Sequence, residues 1–279
     1  MENFSIMIPS FVLGLREGLE AALIIGIVLA ALRQTGRTEL NKTVWIGVGL
    51  AIILSISAAI GLFAAGAEFK GQAEVIFEGS TLLLAVLLLT WMLFWMKRQS
   101  SELKANIAEK VSGQKSVART SPLMWLVFFA VLREGVELAI FLLAASFTSD
   151  EKTTLLGAIL GLFGAVAAGW LLNITSRKIS LRKFFQYTNL LLIFFAAGLF
   201  AHGIHEFAEI GWLPTGLDPL YNISTFLSSD SIAGSIMKAL FGYNPTPMFI
   251  EALAYTAYLA ALLFLTLFPG RKTALTENK

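Results

Sequence analysis

The chain has 279 residues, of which 56% are hydrophobic and only 14% charged, with a net charge of +2 and no cysteine. This lies well below the soluble average of about 25% charged residues and marks an integral membrane protein rather than a soluble domain. The near-neutral balance leaves no nucleic-acid footprint, and the lack of cysteine excludes disulfides, thiolate zinc sites, iron–sulfur clusters and thiol nucleophiles.

A membrane span needs about 20 mainly apolar residues at 1.5 Å rise per residue. Seven stretches qualify: about 7–31, 44–66, 75–96, 122–147, 153–176, 184–208 and 247–268. The N-terminus, Met1-Glu2-Asn3-Phe4, lacks the basic region of a secretory signal, so the first apolar run is expected to stay as a span.

Within that first span, Leu15-Arg16-Glu17-Gly18-Leu19-Glu20 places three ionisable groups in an apolar run. A charge at mid-membrane costs roughly 2.5–3.5 kcal/mol on insertion scales, so such residues face a protein interior or a wet cavity and mark function. The pattern recurs in span four as Leu132-Arg133-Glu134-Gly135-Val136-Glu137. On a helix Glu17 and Glu20 share a face and Arg16 can pair with Glu20; Arg133, Glu134 and Glu137 repeat this. Antiparallel packing of the two spans could gather all four carboxylates at half depth. Four carboxylates against two arginines leave an excess of negative charge that a cation or protons must complete. Hard oxygen donors favour Mg, Ca, Mn or iron over copper(I) or zinc. The residues alone thus define a carboxylate site for some cation, while a pair of structural Arg–Glu locks is the simpler alternative. Gly18 and Gly135 permit close approach of neighbouring helices.

Spans 1–3 and 4–6 each begin with a motif helix, and because three is odd the second half enters the membrane from the opposite side. That is the mark of an inverted-topology repeat, a transporter architecture with its site at the repeat interface. The expected fold is therefore an all-α polytopic membrane protein of seven transmembrane helices, two inverted three-helix repeats plus one C-terminal helix. Its parts are residues 1–97, a cytoplasmic linker 98–121, residues 122–208, an extracytoplasmic connection 209–246, and 247–279. Basic residues set the orientation. With the N-terminus outside and the C-terminus inside, Lys70, Lys152 and Lys238 are the only non-motif basic residues left outside. Trp45, Trp95 and Trp125 fall at inner ends of spans. The connection 209–246 is too long for a bare loop, and Ile223 to Leu240 has the spacing of an interfacial or re-entrant helix.

Other polar residues cluster toward the outside. Glu78 lies a turn inside the outer end of span three, as a capture ligand or an interfacial charge. His202, His205, Glu206 and Glu209 fall on one helix face near the outer end of span six, as a recruitment site or a polar helix end, and Glu251 faces the same vestibule or the outer interface. His205-Glu206 lacks the second histidine of a zinc protease, and no Walker loop, nucleophile elbow or dinucleotide fingerprint is present, so no enzyme and no catalytic residues are expected.

Two copies of Arg-Glu-x-x-Glu in the first and fourth of seven spans, with Phe77-Glu78-Gly79, Leu89-Thr90-Trp91-Met92, Phe94-Trp95-Met96, Phe128-Phe129-Ala130 and Ala196-Ala197-Gly198-Leu199, resemble the oxidase-dependent iron permeases, fungal Ftr-type and bacterial EfeU-type. The resemblance covers about residues 5–268 and implies high-affinity iron import across the cytoplasmic membrane. It implies Glu17, Glu20, Glu134 and Glu137 as metal residues and Arg16 and Arg133 as their partners. It further implies iron, Fe3+ or Fe2+, as substrate with no resident cofactor, and an extracytoplasmic oxidase or iron-delivery protein as partner. A Mn2+ or other divalent-cation transporter is the alternative, and a membrane-bound metal oxidase or iron sensor the alternative of another class. Oligomeric state is open.

Overall fold

The computed structural model describes residues 2–99, 121–174, 181–216, 219–228 and 231–267, which contain helices and turns and no strand. The helices are α1 (Glu2–Gln34), α2 (Asn41–Glu68), α3 (Gln72–Gln99), α4 (Ser121–Thr148), α5 (Glu151–Ile174), α6 (Leu181–Glu209), α7 (Ile232–Phe241) and α8 (Phe249–Leu267), with a 3₁₀ turn at Thr38–Leu40 before α2. Among the described residues, each of the seven stretches read as a span is helical, save residues 247 and 248 just before α8, and part of the stretch 223–240, read as an interfacial or re-entrant helix, supplies α7. The charged linker of residues 98–121 lies almost wholly outside the described residues, as do Arg177, Lys178 and the C-terminal tail.

The protein is a multi-pass membrane protein. Thr38–Glu68, Gln72–Phe94, Glu151–Leu171 and Phe184–Glu209 are long and apolar enough to cross a bilayer, and Phe249–Leu265 is a shorter apolar helix. At 33 and 28 residues, α1 and α4 have ample length, but each carries an Arg and two Glu at its centre. Ile53, Ile56 and Ile60 on α2 and Leu156, Phe163, Val166 and Trp170 on α5 are exposed, which suits contact with lipid.

Helix α1 packs along α5, α2 along α4, and α3 along α6. The first of these contacts is a zipper of small residues. Ser10, Gly14, Gly18 and Ala22 recur every four residues on α1, facing Gly157, Ala158, Gly161, Ala165 and Gly169 on α5. Without Cβ atoms the backbones approach until van der Waals contact replaces lipid contact, the usual source of helix association in a bilayer. The contacts advance together along both helices, so α1 and α5 run parallel. On α2 and α4, Gly47 meets Met124 and Phe128 while Ser55 meets Gly135, so these too run parallel. On α3 and α6, Gly79 meets Phe207 while Leu82 meets Gly203, so that pair is antiparallel. With sharp turns between α1 and α2, α2 and α3, and α4 and α5, the motif helices α1 and α4 run in opposite directions.

Two apolar clusters bracket the centre of the bundle. One joins Leu13, Leu82, Leu89, Leu138, Phe141, Leu192, Phe195 and Leu199. The other joins Val28, Leu32, Val44, Val48, Val127 and Val131. The motifs lie in the gap, between Leu13 and Val28 on α1 and between Val131 and Leu138 on α4. Outside the spans, Asp150 caps α5. It accepts hydrogen bonds from the Thr153 backbone N–H at 3.0 Å and hydroxyl at 2.8 Å. Those bonds hold its carboxyl below the usual carboxylate range.

The connection after α6 turns back into the bundle. Leu220 and Ile223 donate backbone hydrogen bonds to the Pro247 and Pro245 carbonyls at 2.8 and 3.0 Å, tying its two arms together. Ser231 then caps α7, accepting from Gly234 N–H at 3.0 Å. At the other end of α7, Phe241 meets Phe194 with ring centroids 5.1 Å apart. Gly242 ends the helix at φ 64°, with its backbone against that of Gly198. Phe194 and Gly198 are central residues of α6, so α7 descends to the middle of the helix beside it.

A candidate intramembrane cation site

Glu17 and Glu134 lie at the midpoints of α1 and α4, and the antiparallel run of those helices brings them to one level. One ligand oxygen from each of Glu17, Glu134 and Glu137 lies within 4.8 Å of the other two. All three residues are buried, and the Oε2 atoms of all three lack a hydrogen-bond partner. A buried carboxylate oxygen without a donor is costly, so a converging set is stable only when a cation or protons complete it. The separation suits a single ion, since hard cations take oxygens at about 2.0–2.6 Å.

The arginines hold the rim. Arg16, 1% exposed, donates from Nη1 to Glu17 Oε1 at 3.2 Å and meets Glu20 Oε1 from Nη2 at 3.4 Å. Arg133 donates from Nε to Glu137 Oε1 at 2.7 Å, its side chain 37% exposed. Glu20 thus pairs with Arg16 and is not among the three that converge. The expected set of four is drawn together as three plus one, because Glu20 lies nearly one turn beyond Glu17, on the side of α1 toward Val28.

Glycine sets the distance between the motif helices and their supports. A Cβ at Gly18 would fall 2.7 Å from Ala165 Cβ, and one at Gly135 would fall 2.6 Å from Ser55 Cβ and closer still to its hydroxyl. These supports, Ser55 and Ala165, are invisible in sequence, where nothing pairs α2 with α4 or α5 with α1.

The polar residues at the C-terminal end of α6 form a separate group. His202 Nε2 lies 3.5 Å from Glu206 Oε1, and His205 Nε2 lies 3.1 Å from Glu209 Oε1. The two imidazoles stack with centroids 5.9 Å apart. Glu251 of α8 joins them: its Oε1 faces His205 Nδ1 at 2.5 Å, while its Oε2 accepts from Asn244 Nδ2 at 2.9 Å and Met248 N–H at 3.2 Å. Glu251 is buried against His205 rather than exposed at the helix end. Glu78 is half-buried on α3, where the adjoining Gly79 abuts Phe207 and Glu206 of α6. Asn244 was not singled out in sequence; its position in Asn-Pro-Thr-Pro was the available signal.

The iron permease FTR1 family matches the chain over residues 7–272. The chain is 36% identical over 273 residues, 97% of its length and 95% of the relative's, to the ferrous iron permease EfeU of Yersinia pseudotuberculosis. It is 37% identical over 270 residues, 96% of its length and 98% of the relative's, to proteins of the same name from Escherichia coli O6:K15:H31 and Shigella sonnei. No solved structure matches.

Proposed function

The chain belongs to the iron permease FTR1 family, and from that premise we propose that it imports iron across the cytoplasmic membrane through the buried carboxylates of its two motif helices. The observation that carries this reading is the convergence of Glu17, Glu134 and Glu137 from opposite halves of the chain, each with a buried oxygen that has no hydrogen-bond partner. The relatives' name, ferrous iron permease, favours Fe2+ as cargo.

The architecture proposed is seven spans, two inverted three-helix repeats and a seventh helix, with α7 re-entrant. The exchanged packing supports it: α1 of the first half lies on α5 of the second as α4 of the second lies on α2 of the first. The domain limits of residues 1–97, 98–121, 122–208, 209–246 and 247–279 go with that reading. Lys and Arg outside the motifs concentrate in the alternate connections that would face the cytoplasm, which favours the N-terminus outside and the C-terminus inside.

In the mechanism proposed, an ion crosses the outer apolar cluster, replaces the missing donors at Glu17, Glu134 and Glu137, and leaves past the inner cluster. Arg16 fixes the rotamer of Glu17 and gives Glu20 up when the ion moves one turn inward. Arg133 does the same for Glu137. An extracytoplasmic oxidase or iron-delivery protein would present the ion. A pure oxygen set also suits Mn2+, which keeps a divalent-cation transporter as the second reading.

The test is labelled iron uptake into sealed proteoliposomes with the redox state fixed. Wild-type protein is expected to load the lumen with Fe2+, and E17Q and E134Q to insert normally yet load at background. Iron bound to the protein without entering the lumen would instead identify a sensor or oxidase, and stronger transport of Mn2+ than of Fe2+ would favour the second reading.

A further inference from the structure

The end of α7 is fastened to its surroundings in two unlike ways. Toward α8 the fastening is by hydrogen bonds. Leu220 and Ile223 donate to the Pro247 and Pro245 carbonyls, the Tyr243 hydroxyl donates to the Leu227 carbonyl at 2.9 Å, and Asn244 donates to Glu251 Oε2 at 2.9 Å. Glu251, 5% exposed, is fixed in turn by the Met248 N–H and by His205 of α6, whose two ring nitrogens face Glu251 and Glu209. The turn after α7 therefore hangs from a point where α6 and α8 are tied together. Toward α6 the end of α7 rests by the Phe241 ring on the Phe194 ring and by the Gly242 backbone on the Gly198 backbone. Contacts of this second kind part without leaving a buried polar group unpaired, which is the costly event in breaking a hydrogen-bonded contact.

The crossing also has free space beside it. A cavity of about 300 Å³ lies between α6, the end of α7 and α8, and its wall includes Phe195, Gly198, Leu199, Gly242 and Glu251. Close-packed elements resist displacement, but on the α8 side the end of α7 is not close-packed. Hinges are commonly element-terminal residues that absorb a change of backbone angles, and Gly242, left-handed at φ 64°, ends the helix. Helix α7 packs against α1 as well as α6. Leu13 of α1 and Phe195 and Leu199 of α6 belong to one apolar cluster, and Leu13 lies one turn from Glu17. Helix α7 thus braces two helices whose side chains close the apolar layer on one side of the motif glutamates.

We propose that α7 is a gate over the carboxylate site: its end swings from the Gly198–Gly242 crossing into the cavity, toward α8 and away from α1, and so lets the layer of Leu13, Phe195 and Leu199 part. In the closed position drawn here the layer shuts the glutamates off, and the glycine crossing is the seat to which the helix returns. The tie of Glu251 to Asn244 and His205 is the fixed mount of the moving part. On the orientation proposed above this is the outer gate. That an ion is what passes it rests on the permease reading; that α7 moves does not.

The chain has no cysteine, so introduced thiols are unique. In proteoliposomes, bridging F194C/F241C with a short bis-methanethiosulfonate reagent is expected to cut Fe2+ uptake to background, and reduction of the bridge to restore it. Uptake by the bridged protein at the rate of the reduced one would overturn the proposal. A second readout needs no transport. Leu13 is fully buried, so L13C in lipid nanodiscs, where both faces are open to reagent, is expected to react slowly with a charged maleimide. A methyl at Gly198 would stand 2.5 Å from Gly242 Cα, so G198A holds the crossing apart. L13C/G198A is expected to react at least about tenfold faster than L13C, which corresponds to about 1.4 kcal/mol of gate opening. Equal rates would overturn the proposal. Should one of these variants misfold, the other readout decides. If wild-type protein fails to load liposomes while G198A speeds the labelling of L13C, the permease reading fails and the gate stands.

Discussion

Replacing Gly135 with alanine tests whether the contact between α2 and α4 holds the carboxylates in reach of one another. The added methyl would stand 2.6 Å from Ser55 Cβ, against an ordinary carbon–carbon separation of about 3.5–4.0 Å. The serine hydroxyl can rotate away, but its Cβ is fixed to the α2 backbone, so the helices must part by about 1 Å. Alanine gains up to about 1 kcal/mol of helix propensity over glycine, while overpacking costs typically 1–3 kcal/mol. The clash wins except at its lowest value, and with the full propensity gain the net loss is up to about 2 kcal/mol. The effect on the site is larger than the effect on stability, because Glu134 and Glu137 flank the displaced residue and metal–oxygen distances tolerate only about ±0.2 Å. G135A is therefore expected to insert and remain monodisperse, with iron uptake into proteoliposomes down by at least about tenfold. S55G removes the opposing Cβ and hydroxyl together, so S55G/G135A is expected to recover most of the uptake. Coupling between contacting residues of this kind typically amounts to about 0.5–3 kcal/mol. Wild-type uptake by G135A, or no recovery in the double variant, would refute the idea that this contact sets the site.

The same logic on the other motif helix predicts that G18A lowers uptake and that A165G, rather than S55G, restores it, measured in the same vesicles; rescue by either partner alike would contradict the packing described. R16M leaves Glu17 and Glu20 buried without their guanidinium, a change that costs about 3–5 kcal/mol in buried pairs, so it is expected to lower the thermal midpoint in detergent far more than R133M, whose lost side chain is 37% exposed; equal shifts would argue against the difference in burial. At the start of α5, D150A is expected to speed hydrogen exchange at the Thr153 and Thr154 amides at neutral pH. Because the carboxyl of Asp150 is held below its ordinary value, its contribution is present above about pH 4 and lost only as pH falls through the lowered value. Wild-type exchange at those amides should thus match D150A only in strong acid, and a match already at pH 6 would count against the cap.

The helices were legible because a long apolar run has few alternatives in a bilayer. The stretches read at 44–66 and 184–208 became Asn41–Glu68 and Leu181–Glu209, each a few residues longer at both ends. Helix partners were not legible, since along the middles of α2, α3 and α6 no polar stripe records which side faces which neighbour. The four-residue spacing of Ser10, Gly14, Gly18 and Ala22 is a sign of a close contact, but it names a surface without naming α5 as its partner. The outer connection failed for a related reason. Ile232 to Phe241 has the same composition whether it lies at the interface or descends, and what decides is the meeting of Gly198 with Gly242, two residues without side chains that are 44 positions apart.

The site divides along the same line. Pairing of Arg16 with Glu20 follows from helical spacing and is found at 3.4 Å. Spacing alone, however, treats Glu17 and Glu20 as equals, and the two halves do not. Antiparallel α4 approaches at the level of Glu17, where Glu134 and Glu137 close a set of three, and Glu20 is left with the arginine. An ion held by three carboxylates with a fourth one turn away toward Val28 would have a next ligand on the import route proposed, and the cost of moving there is the breaking of the buried contact between Glu20 and Arg16. Such a path needs the fourth glutamate outside the resting set. If Glu20 acts as that next ligand, E20Q should leave Mn2+ affinity at the buried site nearly unchanged while slowing release into the lumen. Loss of binding and transport in equal measure would instead make Glu20 a fourth member of the resting shell.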